Sequence, residues 1–342
     1  MNQAASPRIV LAGSVGSSRR TLEALLRHGA AVVGVLELTD EIAPQVSGFA
    51  RLADEAAKAN VPCSTFRNIN APEIIEQVRA WQPDLLFVVG LSQLVKPELL
   101  AVPTRGCVGF HPTHLPKGRG RAPIAWLTLD GTPGAATFFL MDDGADSGPI
   151  LVQEPFDVTS ADYAEDVVTK TEDALDRALD RWLPSLLNGE WNPGPQDDAL
   201  ASYHGKRGPE DGLIDWRDSA ERIHALIRAA SRPHPGAYTF VRRRKLILWR
   251  AEVDRTTPFR GVPGRILDVD AERGALVQCG DGLLWLTVVE WPADAPAARL
   301  SVGVKLGVDL EDEVVRLHHE VESLRERVAL LEAQLHPAGA PS

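Results

Sequence analysis

Two short stretches hold side chains whose types and spacing suit chemistry. His111 closes the apolar run GCVGF, and the glycine-broken segment MDDGADSG carries Asp142, Asp143 and Asp146. Histidine is the side chain most easily set to titrate near neutral pH. Beside a carboxylate it can take the proton of an attacking amine or hydroxyl. A lone histidine is more often structural, so the acidic partner carries the expectation. No G-x-S-x-G elbow is present, which leaves serine-type covalent catalysis unsupported. The D-D-x-x-D spacing fits neither calcium-loop nor zinc patterns, and no metal is expected. Beyond His111 the chain reads PTHLPKGRGRAP, whose Lys117, Arg119 and Arg121 suit an anion as well as solvent. A second anion site is expected in GSVGSSRRT, where Ser14, Ser17 and Arg19 surround a turn into a helix.

These groups need a scaffold. Strand-like runs RIVLAG, AVVGVLEL, DLLFVVG, GCVGF and AATFFLMD alternate with helical patterns SSRRTLEALLRHG, GFARLADEAAKANVP and PEIIEQVRAWQPD. The alternation predicts an α/β domain: an open, mostly parallel Rossmann-like sheet with helices on both faces. In such sheets the ligand crevice lies beyond the carboxyl ends of the strands, where His111 and the aspartate cluster are expected. Residues 161–189 read as a long amphipathic helix closing the domain, and GEWNPGPQDDALAS as a linker. A helix capped by Asp218 or Ser219 follows. The closely spaced runs GAYTFV, KLILWRAEV, GRILDVD, GALVQCG and LLWLTVVEW then predict a small OB-like β-barrel. The expected boundaries are residues 1–200, 201–305 and 306–337.

In the last segment Leu310, Val314, Leu317, Val321, Leu324, Val328, Leu331 and Leu335 alternate spacings of four and three. Valine falls mostly at a and leucine at d, the pattern of a parallel two-stranded coiled coil. In register, Glu320 meets Arg325 and Arg327 meets Glu332 of a second copy. A homodimer through this helix is expected.

The bulk properties bound the partners. A chain of 342 residues has room for two domains. The net charge of −11 disfavours a nucleic-acid partner in the absence of a basic patch. Cys63, Cys107 and Cys279 show no pattern, pointing to reduced thiols and a cytoplasmic location. No apolar run is long enough to span a bilayer, so no membrane is expected. No G-x-G-x-x-G follows the first strand, which disfavours a dinucleotide-binding dehydrogenase.

FHPTHLPKGRGRAPIAW together with MDDGADSGPI resembles the tetrahydrofolate-dependent formyltransferases. That family includes methionyl-tRNA formyltransferase, glycinamide ribonucleotide formyltransferase and the sugar N-formyltransferases. Its pattern runs N-x-H-x-S-x-L-P-x-x-R-G and, later, D-x-G-x-D-[ST]-G. The segment DGLIDWRDSAERIHALIRAASRPHPGAY is similar to the start of the C-terminal barrel in the tRNA and sugar branches, so the resemblance covers all but the tail. It implies N10-formyltetrahydrofolate as donor and a primary amine as acceptor, joined through a tetrahedral intermediate. It implies that His111 accepts the amine proton or supports the oxyanion, and that Asp146 sets the charge of the histidine. Asp143 and Gly144 then match a loop whose backbone holds the pterin, and Gly90, Leu91 and Ser92 match the pocket's other wall.

One position departs from the pattern. Gly109 stands where the family has an asparagine that donates to the formyl oxygen. Losing one such donor costs roughly a hundredfold or more in rate. A water, the Gly109 N–H, Thr113, His114 or a substrate group would have to replace it, unless activity is lost.

The tRNA branch usually carries a basic insertion after the second strand. Here that region reads ELTDEIAPQVSGFARLADEAAKANVP and is not basic. FRNINAPEIIEQVRAWQPDLLFVVGLSQLV looks more like the sugar N-formyltransferases, which implies a nucleotide-linked amino sugar as acceptor. Its diphosphate would meet the anion candidates named above. A methionyl-tRNA formyltransferase-like enzyme, a formyltetrahydrofolate hydrolase and an inactive folate-binding protein remain as alternatives.

Overall fold

The computed structural model describes residues 6–292, 299–308 and 310–335. It begins β1 (Arg8–Ala12), α1 (Gly16–Arg27), β2 (Ala31–Leu38), α2 (Ala53–Lys58), β3 (Cys63–Phe66), α3 (Pro72–Trp81), β4 (Leu85–Val88), α4 (Pro97–Leu100) and β5 (Gly106–His111). It continues β6 (Arg119–Gly120), α5 (Pro123–Asp130), β7 (Gly134–Leu140), β8 (Ile150–Phe156), α6 (Ala164–Leu187) and β9 (Tyr203–His204). After these come α7 (Ala220–Ala230), β10 (Ala237–Val241), β11 (Arg244–Asp254), β12 (Ile266–Asp270), β13 (Gly274–Gln278), β14 (Leu283–Glu290) and α8 (Leu310–Leu335). The chain divides into two compact units. One runs to Leu213 and takes in His224–Ala237, and the other comprises Ile214–Ile223 and Tyr238–Ser342. Among the described residues no helix is long and apolar enough to cross a membrane.

The first unit is built on a seven-stranded sheet in the order β3-β2-β1-β4-β5-β7-β8. The first five of these strands are parallel. Their apolar runs are buried on both faces, as crossover helices require. One apolar cluster joins Ile9, Leu11, Phe87 and Val108 to Leu22 of α1 and Leu175 of α6. The opposite cluster joins Val10, Leu86 and Cys107 to Ile74 and Val78 of α3. The strand order reverses between β1 and β4, the switch point at which such sheets open a crevice. There Ser18 Oγ donates to Val89 O at 2.7 Å and accepts the Val15 N–H at 3.1 Å, joining the start of α1 to the tip of β4. Gly13 must be glycine, because a Cβ would lie 2.2 Å from Val89 O.

Several expectations need correction. The helix expected over residues 48–62 shrinks to Ala53–Lys58. The Glu37 carboxylate of β2 accepts the Leu52 and Ala53 N–H groups at 2.7 and 3.1 Å, and this fixes where the helix starts. Strands β7 and β8 are antiparallel to their neighbours. The loop after β7 therefore leaves at the level of Cys107, whose carbonyl accepts the Met141 N–H at 2.8 Å, and not at the carboxyl end of β5. The expected linker is partly ordered on the sheet edge, where Gly194 and Ile150 exchange backbone hydrogen bonds of 2.7 and 2.8 Å.

The second unit holds an antiparallel sheet in the order β10-β11-β14-β13-β12. Leu306 bridges to Val241 at the end of β10, and Lys305 bridges to Arg265 just before β12. The two edges are thus tied by one short segment, which closes the sheet on itself as a small barrel does. Ser219 caps α7, its Oγ accepting the Arg222 N–H at 3.2 Å.

Candidate active site

His111 is the last residue of β5, and its side chain is 7% exposed. Its Nε2 lies 2.9 Å from Gly118 O. A carbonyl only accepts, so Nε2 carries the proton. That leaves Nδ1 as the acceptor nitrogen of the neutral ring. Nδ1 faces Asp146, whose Oδ2 is 3.5 Å away. The same Oδ2 accepts the Gly120 N–H at 2.8 Å. The antiparallel β7 explains how this pair forms. Its loop folds back along the sheet and brings Asp146 to His111 from the far end of the strand.

The loop holds itself in shape. Asp142 Oδ1 accepts from Gly144 N at 3.0 Å and Ser147 Oγ at 2.8 Å. Gly148 is obligatory, because a Cβ would sit 1.7 Å from Leu140 O. Asp146 itself has φ 54°, a left-handed conformation that costs a non-glycine residue about 1–3 kcal/mol. Asp143 and Gly144 are exposed at the loop's tip. The parallel register sets Val88 against Gly109 and so carries Gly90 to the level of His111. Gly90 has φ 63°. Leu91 packs on the same cluster as Cys107 and Met141, and Ser92 is exposed.

Gln196 was not anticipated, and it holds the loop in place. Its Nε2 donates to Asp146 O at 2.9 Å and to Gly148 O at 2.7 Å. Its Oε1 accepts from Arg119 Nε at 3.2 Å and Nη2 at 2.9 Å. Arg119 also donates to Asp198 at 2.7 Å and to Tyr203 Oη at 2.9 Å, and its side chain is 1% exposed. Burial opposes its charge, but the bonds to Asp198 and Tyr203 outweigh that and raise its pKa above the ordinary value. Two of these partners, Gln196 and Asp198, come from the stretch read as a linker, and Tyr203 directly follows it. Only its amide and aromatic side chains could have signalled a role.

Other expected residues need reassignment. Arg119 is fully engaged inside the wall, which corrects its reading as a diphosphate ligand. Ser14 is fully buried, its hydroxyl donating to Gly13 O and accepting the Leu38 N–H at 2.6 Å. It is part of the frame and is withdrawn as an anion ligand. Beside it, a Cβ on Gly16 would lie 2.0 Å from a Glu172 carboxylate oxygen. The Glu172 carboxyl, 3.7 Å from Arg20, thus occupies the space beside the first turn of α1. Ser17 is half-buried, and Arg19 points outward toward Glu23 at 3.9 Å. Thr113 is buried, and its hydroxyl lies 3.4 Å from Gly118 O. His114, Lys117 and Arg121 are exposed.

Gly109 has a steric explanation. A Cβ there would meet the Phe139 ring at 2.7 Å and Met141 Cγ at 3.0 Å. Phe139 and Met141 fill the space in which a larger residue would stand. Among the described residues no cluster of three or more His, Cys, Asp or Glu side chains is placed to hold a metal ion.

With this geometry in hand, comparison with known proteins identifies the family. The formyl transferase model matches residues 8–183, more than half of the chain, and the model of the formyl transferase C-terminal domain matches residues 206–299. The chain belongs to the formyl transferase family. Three solved structures share the fold. HypX from Aquifex aeolicus, in complex with tetrahydrofolic acid, is 17% identical with a TM-score of 0.59, over 84% of this chain and 44% of that one. The chain thus spans less than half the length of HypX. An N-formyltransferase from Helicobacter canadensis, in complex with folinic acid and dTDP-3-aminofucose, is 17% identical with a TM-score of 0.58, over 82% and 98% of the two chains. Methionyl-tRNA formyltransferase from Clostridium thermocellum is 19% identical with a TM-score of 0.53, over 73% and 95%.

Proposed function

We propose that this formyl transferase moves the formyl group of N10-formyltetrahydrofolate to the primary amine of a nucleotide-linked amino sugar. The observation that carries the proposal is the buried pairing of His111 with Asp146 at the end of β5. Its Nε2 is held by Gly118 O at 2.9 Å, and its Nδ1 lies 3.5 Å from Asp146 Oδ2. A neutral imidazole held this way accepts a proton, and the adjacent carboxylate stabilises the imidazolium that results.

In the proposed reaction the amine nitrogen attacks the formyl carbon. His111 Nδ1 takes the amine proton as the new C–N bond forms. The bond from the formyl carbon to N10 then breaks, and His111 returns the proton to N10. Products are a formamide and tetrahydrofolate, with atoms and charge balanced. Gly90, Leu91 and Ser92 on one side and Asp143 with Gly144 on the other would hold the pterin. The left-handed backbone at Gly90 and the braced 142–148 loop suit that task. Lys117 and Arg121, exposed beyond His111, are the cations proposed to meet the diphosphate.

A nucleotide sugar is favoured over tRNA by charge. The chain carries −11 overall, and the connection from β2 to α2 includes Asp40 and Glu41 in place of a basic insertion. The Helicobacter canadensis protein, bound to a dTDP-amino sugar, is covered almost end to end. The test offers the donor with dTDP-, UDP-, GDP- and CMP-linked amino sugars, and separately with methionyl-tRNA. An N-formylated sugar nucleotide by mass spectrometry is expected. Formylation of the tRNA alone would refute the sugar assignment.

A further inference from the structure

The last described element, α8, lies beyond both stretches matched by the formyl transferase models. It is anchored near its start, where Arg243 Nε donates to Glu313 Oε2 at 2.8 Å. From Leu317 onward every described side chain on it is exposed. Those side chains are not uniformly polar. Val314, Val321 and Val328 alternate with Leu317, Leu324 and Leu331 along one stripe, each between 44% and 64% exposed. A stripe of this kind on an isolated helix marks an interface. Leu310 would extend it, but its side chain is outside the described residues, as are residues 336 and 337 of the expected tail.

We infer that α8 is the dimerisation element of this protein and pairs with α8 of a second copy in a parallel, in-register, two-stranded coiled coil. Three observations select this occupant. The apolar stripe is a 3.5-residue repeat, which winds two helices together; packing on a globular surface favours a wider face. Valine at a with leucine at d favours two parallel strands. The flanking charges complement themselves: Glu320 lies at g opposite Arg325 at e of the second copy, and Arg327 opposite Glu332. Symmetry doubles both pairs. Within one chain Glu320 already reaches Arg316 at 2.6 Å, and Arg325 reaches Glu322 at 2.7 Å. These exposed pairs can shift or share without loss when the second helix arrives. The inference does not depend on which amine is formylated.

The test is the solution mass of the full chain. Sedimentation equilibrium should give twice the chain mass at micromolar concentration. Leu317→Glu with Leu324→Glu should give monomers whose tryptophan fluorescence is unchanged. Glu320→Lys with Glu332→Lys should weaken self-association at least tenfold, and so should Arg325→Glu with Arg327→Glu. Mixing those two variants should restore a dimer, which also shows that both are folded. Leu331→Cys should form an interchain disulfide under oxidation, because an antiparallel pair would set residue 331 against Val314. A monomeric wild-type chain, a trimer, or a dimer indifferent to these substitutions overturns the inference. A dimer in which Leu331→Cys fails to cross-link overturns the parallel arrangement.

Discussion

Replacing Gln196 with alanine should slow formyl transfer without touching any group proposed to meet substrate. Gln196 makes four hydrogen bonds, two to the carbonyls of Asp146 and Gly148 and two from Arg119. In the variant both carbonyls lose their donor, and Arg119 keeps only Asp198 and Tyr203. A lost hydrogen bond costs about 1 kcal/mol when water can replace it and up to about 3 kcal/mol when it cannot. The site is partly buried, so about 2–4 kcal/mol is expected for the two carbonyls and the weakened arginine together. That loss falls on a loop already holding Asp146 at φ 54°. The loop relaxes, Asp146 moves away from His111 Nδ1, and a displacement near 1 Å costs on the order of a hundredfold in rate. The expected result is kcat reduced roughly 30- to 100-fold, with KM for the amine changed only a few-fold. A second assay needs no substrate. The Gly120 N–H, which donates to Asp146 Oδ2, should exchange with solvent faster. Gln196→Glu keeps the acceptor but at neutral pH loses the donor, and it should be impaired much as Gln196→Ala is. Wild-type turnover in Gln196→Ala, with Gly120 exchange unchanged, would refute the reasoning.

Gly109→Asn should not improve the enzyme, because its side chain collides with Phe139 and Met141; urea denaturation should show a loss of about 1–3 kcal/mol. Asp254 gives a pH-dependent prediction. Burial alone would raise its pKa, but the Thr256, Thr257 and Trp285 donors hold it well below the usual carboxylate range. A depressed folded pKa means that its stabilisation is present above about pH 4 and is lost as pH falls further. Asp254→Asn should therefore cost about 2–4 kcal/mol near neutrality, and the gap to wild type should narrow in acid.

Much of this architecture was legible in the residues. Periodicity locates β1, β2, β4, β5 and the long α6, because burial on both faces demands unbroken apolar runs. The pairing of His111 with Asp146 was legible as residue types, but its geometry was not. That geometry depends on β7 running antiparallel, and a strand's direction leaves no mark in its own sequence. The misread residues are those whose chemistry is ambiguous outside their packing. Arg119 looks like Lys117 and Arg121 in sequence, yet it is buried with three partners while they face solvent. Gln196 lay in a stretch whose proline and glycine content signals a connection. Turn composition says how the backbone bends, and nothing about which side chain reaches back across forty-eight residues to Gly148 O.

The central claim is tested most directly by following the formyl group itself. Wild-type protein with N10-formyltetrahydrofolate and the amino-sugar nucleotide panel should yield one N-formylated sugar and an equal amount of tetrahydrofolate. His111→Asn should lower that rate by roughly 10²–10⁴-fold, the share general base catalysis usually contributes. Free formate without a formamide, or a His111→Asn variant as fast as wild type, would contradict it.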